Sequence, residues 1–268
     1  MASWTEQTYS TILLEPREEG RLAILTLNRP EARNAISRVM ANEFRHACEA
    51  LGQDRGPRAM VVAGAGDRAF SAGADLVERR ELRPDERAAH TAAVEAAAEA
   101  LAGVPFPTIA AVRGFALGGG AELAIACDLR LAGQDAEFGF PEVTIGVFPG
   151  AGGVRRLPAL VGLGAARDLL YTGRRIAATE AARIGLVDRV VESSAVFAEA
   201  IALASTIADN APLAIRAVKR ALSETVGIPA ETARERINAL RGSLDSTDDY
   251  EEGLAAFAER RRPRFSGV

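Results

Sequence analysis

Apolar residues in this chain come in two rhythms, short unbroken runs and longer stretches that repeat every three or four positions. The run RLAILTLN (21–28) ends in the turn-forming NRPEARN and predicts a buried strand. Beyond it, Ile36, Val39, Met40, Phe44, Ala47 and Leu51 recur at helical spacing and predict an amphipathic helix. AMVVAG (59–64) is a second buried strand, leading into the loop AGDRAFSAGAD. Apolar strands alternating with helices place the chain in the α/β class.

Residues 76–90, LVERRELRPDERAAH, are highly charged and carry Pro84, so they read as a mobile or solvent-facing connection before an alanine-rich helix over 91–102. The pattern then repeats. TIAAV (108–112) is strand-like, Gly114 turns, and 119–127 has helical composition; LRLAG and AEFGF are further strands, followed by the glycine-rich turn GVFPGAGG (146–153). From about 195 the strand signals stop, and helices divided by Asn210 and Pro212, by VGIP and by GSLDSTDD follow. This suggests a division into a core over 1–194 and a helical region over 195–268 that packs on the core or on another subunit.

Composition narrows the chemistry. At 268 residues with a net charge of −4, the chain is an ordinary globular protein with no broad polyanion-binding face, so no nucleic-acid partner is expected. No apolar run approaches the roughly 18 residues of a membrane span, and MASWTEQTYS lacks the features of a signal peptide, so the expected compartment is the cytosol, with no membrane partner. Cys48 and Cys127 sit inside apolar patterns, and His46 and His90 have no partner at metal-ligand spacing. Neither a disulfide framework nor a metal site is expected, and both histidines read as surface or partly packed residues. Lys219 is the single lysine. GLGAAR (162–167) imitates a dinucleotide fingerprint, but Arg167 replaces its third small residue and no strand precedes it.

Three loops remain: FSAGAD, LGGGAEL and FPEVTIGVFPGAGG. Each puts small residues at a strand-to-helix junction, where backbone N–H groups without internal partners face outward. Two such junctions facing each other would form an oxyanion hole for a thioester or ester carbonyl. Glu122 and Glu142 stand beside these loops. Each has an ordinary alternative, as a first-turn residue stabilised by the helix dipole or as the residue after a helix-opening Pro141. As a pair, in a chain without useful histidine, cysteine or metal chemistry, they could divide proton transfer between them. Glycosidases also use two carboxylates, but this sequence is poor in the aromatic residues that line sugar clefts.

The linked segments LTLNRPEARNAI, AFSAGADL, PTIAAVRGFALGGGAELAIACDLRLA, AEFGFPEVTIGVFPGAGGVRRLP and EGLAAFAERRRPRF together resemble the crotonase superfamily, the enoyl-CoA hydratase/isomerase family, and among its branches the methylglutaconyl-CoA hydratases. The resemblance implies a crotonase fold, with repeated ββα units forming a spiral core and a helical C-terminal trimerisation region, as homotrimers or hexamers. It implies an acyl-CoA thioester substrate and no separate cofactor, coenzyme A being part of the substrate. The reaction it implies is reversible syn hydration of a 2-enoyl-CoA to a 3-hydroxyacyl-CoA; isomerisation, another reaction such as decarboxylation, or an RNA-binding relative with a vestigial site are the alternatives.

By the same resemblance the amides of Ala74 and Gly119 are the oxyanion donors. Glu122 takes a proton from water, Glu142 supplies one to the α-carbon, and Gly150 helps to hold the water. Ala72, Asp75, Leu76 and Val77 border the CoA, and Arg33 lies near its nucleotide. The C-terminal RRRPRF matches a basic tail that reaches a neighbour's CoA phosphate. Departures occur at Phe148, Val154 and Arg155, where relatives carry other residues; these bear on the acyl group, not on the reaction class.

Overall fold

The computed structural model describes residues 4–268, so the first three residues of MASWTEQTYS lie outside the described part. The chain opens with β1 (Ile12–Arg17) antiparallel to β2 (Leu22–Leu27), followed by α1 (Arg38–Gln53), whose N-terminus is capped by the Ser37 hydroxyl accepting from the Met40 amide. Three strand pairs then alternate with helices. They are β3 (Ala59–Gly64) with β4 (Ala69–Ser71), β5 (Thr108–Val112) with β6 (Phe115–Leu117), and β7 (Leu129–Gly133) with β8 (Glu137–Gly139).

The helices that follow these pairs are α2 (Leu76–Glu81) and α3 (Pro84–Ala102) after the first, and α4 (Gly119–Ala126) after the second. A 3-10 turn (Pro141–Ile145) and α5 (Gly153–Thr172) follow the third. In every pair the first strand joins a six-stranded sheet of order β1-β2-β3-β5-β7-β10, and the second joins a four-stranded sheet of order β4-β6-β8-β9. Here β9 is Arg175–Ala177 and β10 is Arg189–Val191, with α6 (Ala178–Arg183) between them. These are the repeated ββα units of the expected spiral.

The central strands are buried on both faces, which is why TIAAV and AMVVAG read as continuous apolar runs instead of alternating ones. One face of the large sheet, through Leu25, Met60, Val62, Ala110 and Val112, packs with residues of α1, α3 and α4. The other, through Ile24, Val61, Ile109 and Leu131, is covered by α7 (Val196–Ala208). Although α7 stands at the head of the C-terminal helices, it therefore packs with the core. After it come α8 (Pro212–Thr225), α9 (Ala230–Gly242) and α10 (Asp248–Glu259), with breaks at the predicted places.

Two expectations for residues 76–90 need correction. The segment faces solvent as expected but is helical, forming α2 and the first turns of α3, and His90 is fully buried, its Nε2 2.9 Å from the Ile36 carbonyl oxygen. Charge density misled here because α3 turns its arginines and glutamates outward while placing His90, Val94, Ala97 and Leu101 inward at three- and four-residue spacing. The GLGAAR stretch lies within α5, which bends at Gly162, and no strand precedes it. Lys219 is held by Asp128 at 2.6 Å and by the Phe106 carbonyl, an ordinary structural ion pair.

Candidate active site

Strands β4, β6 and β8 run parallel, with Ser71 paired to Ala116 and Leu117 to Gly139. Their C-terminal ends therefore release three loops side by side, about one strand spacing of 4.8 Å apart. These are the loops that carry Gly73–Ala74, Gly118–Gly119 and Pro141–Glu142. Residues far apart in sequence meet because the sheet aligns their exits, the position where open α/β sheets commonly bind ligands.

The Ala74 and Gly119 amides are brought together at this edge. A Cβ at Gly119 would lie 3.6 Å from the Ala74 nitrogen, and one at Gly73 would lie 3.2 Å from the Gly119 nitrogen. Among the described residues neither amide donates to a backbone acceptor, while its neighbours do: Gly118 donates to Gly139, Glu122 to Gly118 and Asp75 to Ile36. Gly118 takes φ 51° and ψ −126°, a conformation that requires glycine, and so turns the chain abruptly into α4. Two unpaired amides converging at the start of a helix form a site for a carbonyl oxygen that gains negative charge.

Glu122 sits in the first turn of α4, only 3% exposed. Its Oε1 accepts from the amides of Ala151 and Gly153, both at 2.8 Å. Burial pushes its carboxyl above the ordinary range, opposed by these two hydrogen bonds and by the charge of Arg156. Arg156 is itself fixed by Glu99 of α3 at 2.7 Å. The glycine-rich turn thus orients Glu122 through Ala151 and Gly153, and Gly150, expected to help hold the water, lies in the same turn, packed close to Thr91.

Glu142 is the contrasting partner. It follows Pro141 in the 3-10 turn, and its Oε1 lies against Gly118, 2.9 Å from where a Cβ would stand. Its Oε2 is buried without a hydrogen-bond partner. Burial, with a smaller contribution from the charge of Glu122, pushes its carboxyl up to about 7. Glu122 is held by two amides of the glycine-rich turn, whereas Glu142 keeps one buried oxygen without a partner, so the two carboxyls stand in different environments.

The remaining predicted residues divide. Ala72 donates to the Arg33 carbonyl, while Leu76 and Val77 are exposed at the start of α2 and free to meet a ligand. Arg33 is exposed in a left-handed conformation at the end of a short turn. Asp75, in the segment expected to border the CoA, is largely buried, caps α2 by accepting from the Val77 and Glu78 amides at 3.1 Å, and pairs with Arg29 at 2.8 Å. In the basic tail, Arg261 is already engaged by Glu252 and Glu259.

Sequence reasoning passed over the residues that brace the oxyanion loop. Asn34 is fully buried, donates to the carbonyls of Ala65 and Ala69 at 3.0 and 2.8 Å, and accepts from the Arg29 amide at 3.0 Å. The Ser71 hydroxyl donates to the Asn34 carbonyl and accepts from the Gly73 amide. An asparagine in NRPEARN looked like a turn residue, and only its burial in the fold distinguishes it. Asn34→Ala should therefore lower stability by about 2–4 kcal/mol, read from the denaturant midpoint, since it orphans buried backbone groups.

The fold thus places two carboxylates, Glu122 and Glu142, beside the converging Ala74 and Gly119 amides. The chain belongs to the enoyl-CoA hydratase/isomerase family of the crotonase superfamily, whose sequence profile matches residues 17–268. It is 40% identical to the crotonyl-CoA hydratase of Syntrophomonas wolfei over 96% of this chain and 98% of that one. With the short-chain-enoyl-CoA hydratase of Clostridium acetobutylicum it shares 38% identity over 94% and 96%. The crystal structure of an enoyl-CoA hydratase from Bacillus anthracis superposes with a TM-score of 0.94 at 36% identity, covering 97% of this chain and all of the other.

Proposed function

We propose that this protein hydrates 2-enoyl-CoA thioesters, with Glu122 as the base toward water and Glu142 as the acid toward the α-carbon. The observation that carries this reading is the carboxylate pair flanking the Ala74 and Gly119 amides, one member held by two N–H groups and the other with a buried, unpartnered Oε2. With the thioester oxygen between the two amides, the carbonyl is polarised, the β-carbon becomes electrophilic and the enolate-like charge is stabilised. Water enters on the Glu122 side. Glu142, protonated, then delivers hydrogen to the α-carbon.

Steady-state hydration of crotonyl-CoA and of methylglutaconyl-CoA, followed by loss of enoyl-thioester absorbance with the 3-hydroxyacyl product identified, tests the reading. Glu122→Ala and Glu142→Ala should each abolish most of the rate. If both retain it, the mechanism fails, and if the product is a shifted double bond, the isomerase alternative replaces it. CoA arrives as part of the substrate, and the exposed Leu76 and Val77 offer it an apolar border.

The same reading includes a homotrimer or hexamer. Its support is the apolar cavity of about 450 Å³ between α8, α9 and α10, lined by Leu213, Val218, Ile237, Leu240 and Phe265, together with Phe257, 86% exposed on α10. Phe257→Asp should shift the native mass, measured by light scattering after gel filtration, from three or six chains toward one. An unchanged mass would remove α10 from the interface. No described helix is long and apolar enough to cross a membrane.

A further inference from the structure

Behind the large sheet, on the face away from α4, lies a second cavity of about 300 Å³. It opens at the C-terminal ends of the parallel strands β2, β3 and β5, where Thr26, Ala63 and Ala111 meet Val196 and Phe197 of α7. Ile109 and Ala111 face α7, and Arg113, two residues further, continues that side and lines the cavity. Its Nε is buried and has no hydrogen-bond partner, and among the described residues the guanidinium makes no ion pair. No acidic side chain lines the cavity.

Arg113 is half-buried, and its buried Nε is left without an acceptor, which is costly because a buried donor without an acceptor loses its hydration and gains nothing in return. Two further donor groups converge on the same space. The Thr26 hydroxyl lines it, and α7 begins there with Ala195 at its N-cap supplying no side-chain acceptor, so the first-turn amides remain available. Guanidinium, hydroxyl and helix N-terminus are all suited to one ligand chemistry, an oxyanion. The volume accommodates roughly ten non-hydrogen atoms at about 30 Å³ each, far less than a CoA thioester.

We propose that this cavity is a second binding site, for a small phosphate- or carboxylate-bearing molecule held by Arg113. It lies across the sheet from Glu122 and does not depend on the hydratase reading. A short covalent link joins it to the catalytic edge: Arg113 precedes β6, which leads directly into Gly118 and Gly119.

Calorimetric titration of the full-length protein with inorganic phosphate and, separately, with butyrate, at constant ionic strength, tests the proposal and distinguishes the two anions. At least one anion should bind the wild-type protein in the millimolar range, about tenfold or more weakly to Arg113→Gln and about threefold more weakly to Thr26→Val. Hydration of crotonyl-CoA by Arg113→Gln should stay near the wild-type rate, which separates this site from the catalytic one. Equal binding to wild type and both variants, or no binding of either anion to wild type, overturns the proposal. So does a lower native mass for Arg113→Gln, which would make the cavity a contact between copies of the chain. Should Arg113→Gln fail to fold, Thr26→Val alone decides by the same comparison.

Discussion

Glu142→Gln should reduce kcat for crotonyl-CoA hydration by about 100- to 10,000-fold, the contribution of a positioned general acid. Glutamine keeps the shape beside Gly118 but cannot release a proton. The wild-type enzyme should also lose kcat/KM as pH rises through about 7, where Glu142 ionises and the acid is spent. On the acid side, the rate should fall as Glu122 becomes protonated, at a pH above the ordinary carboxylate range because burial raises it. An alkaline limb that persists unchanged in Glu142→Gln would sink the assignment.

The same substitution should stabilise the protein. The folded carboxyl of Glu142 titrates near 7 against an ordinary value of 4.5, so its contribution to stability is fully present below pH 4.5 and is lost as pH rises through 7. A neutral glutamine escapes that loss. Glu142→Gln should thus gain on the order of 1–3 kcal/mol over wild type at pH 8 and almost nothing at pH 4.5, seen as a pH-dependent difference in Tm. Activity and stability then move in opposite directions at one residue, the signature of a group kept for chemistry.

The second large effect is expected at Gly119. Its Cβ would sit 3.3 Å from Val94 Cγ1, 3.5 Å from Ile36 Cδ1 and 3.6 Å from the Ala74 amide, so the bulk of Gly119→Val would crowd Val94 and Ile36 and push Gly119 and Ala74 apart, displacing the oxyanion donors. Loss of one such donor typically reduces kcat by about 100- to 1000-fold. Because backbone amides have no side chain to remove, bulk is the available probe. Far-UV circular dichroism should be retained. A change of less than tenfold in kcat, with the fold intact, would mean that the thioester oxygen does not lie between Ala74 and Gly119.

Much of the molecule was legible in the chain because the relevant signals are local. Buried parallel strands need continuous apolar runs, and RLAILTLN, AMVVAG and TIAAV supplied them; the C-terminal helices break where proline and glycine prevent continuation. Strands of three residues such as β4, β6, β9 and β10 are too short to impose a period, and they form because neighbouring strands offer them partners. The first turns of α3 were hidden by their charged outer face, and the bend at Gly162 joins two helical pieces that Pro158 and the glycines disguised.

The sequence by itself determined the class of fold, the glycine loops and the two carboxylates, since these depend on residue identity and on spacing within a few positions. How differently the two carboxylates are surrounded was decided only by the tertiary structure. Glu122 meets the amides of Ala151 and Gly153, whereas Glu142 is left with a buried, unpartnered oxygen. The same holds for Asp75, which caps a helix, and for His90, drawn inside. The physical reason is common to all four: a side chain's proton affinity and hydrogen-bond partners are set by groups that strand pairing brings from far along the chain, and no local pattern encodes them.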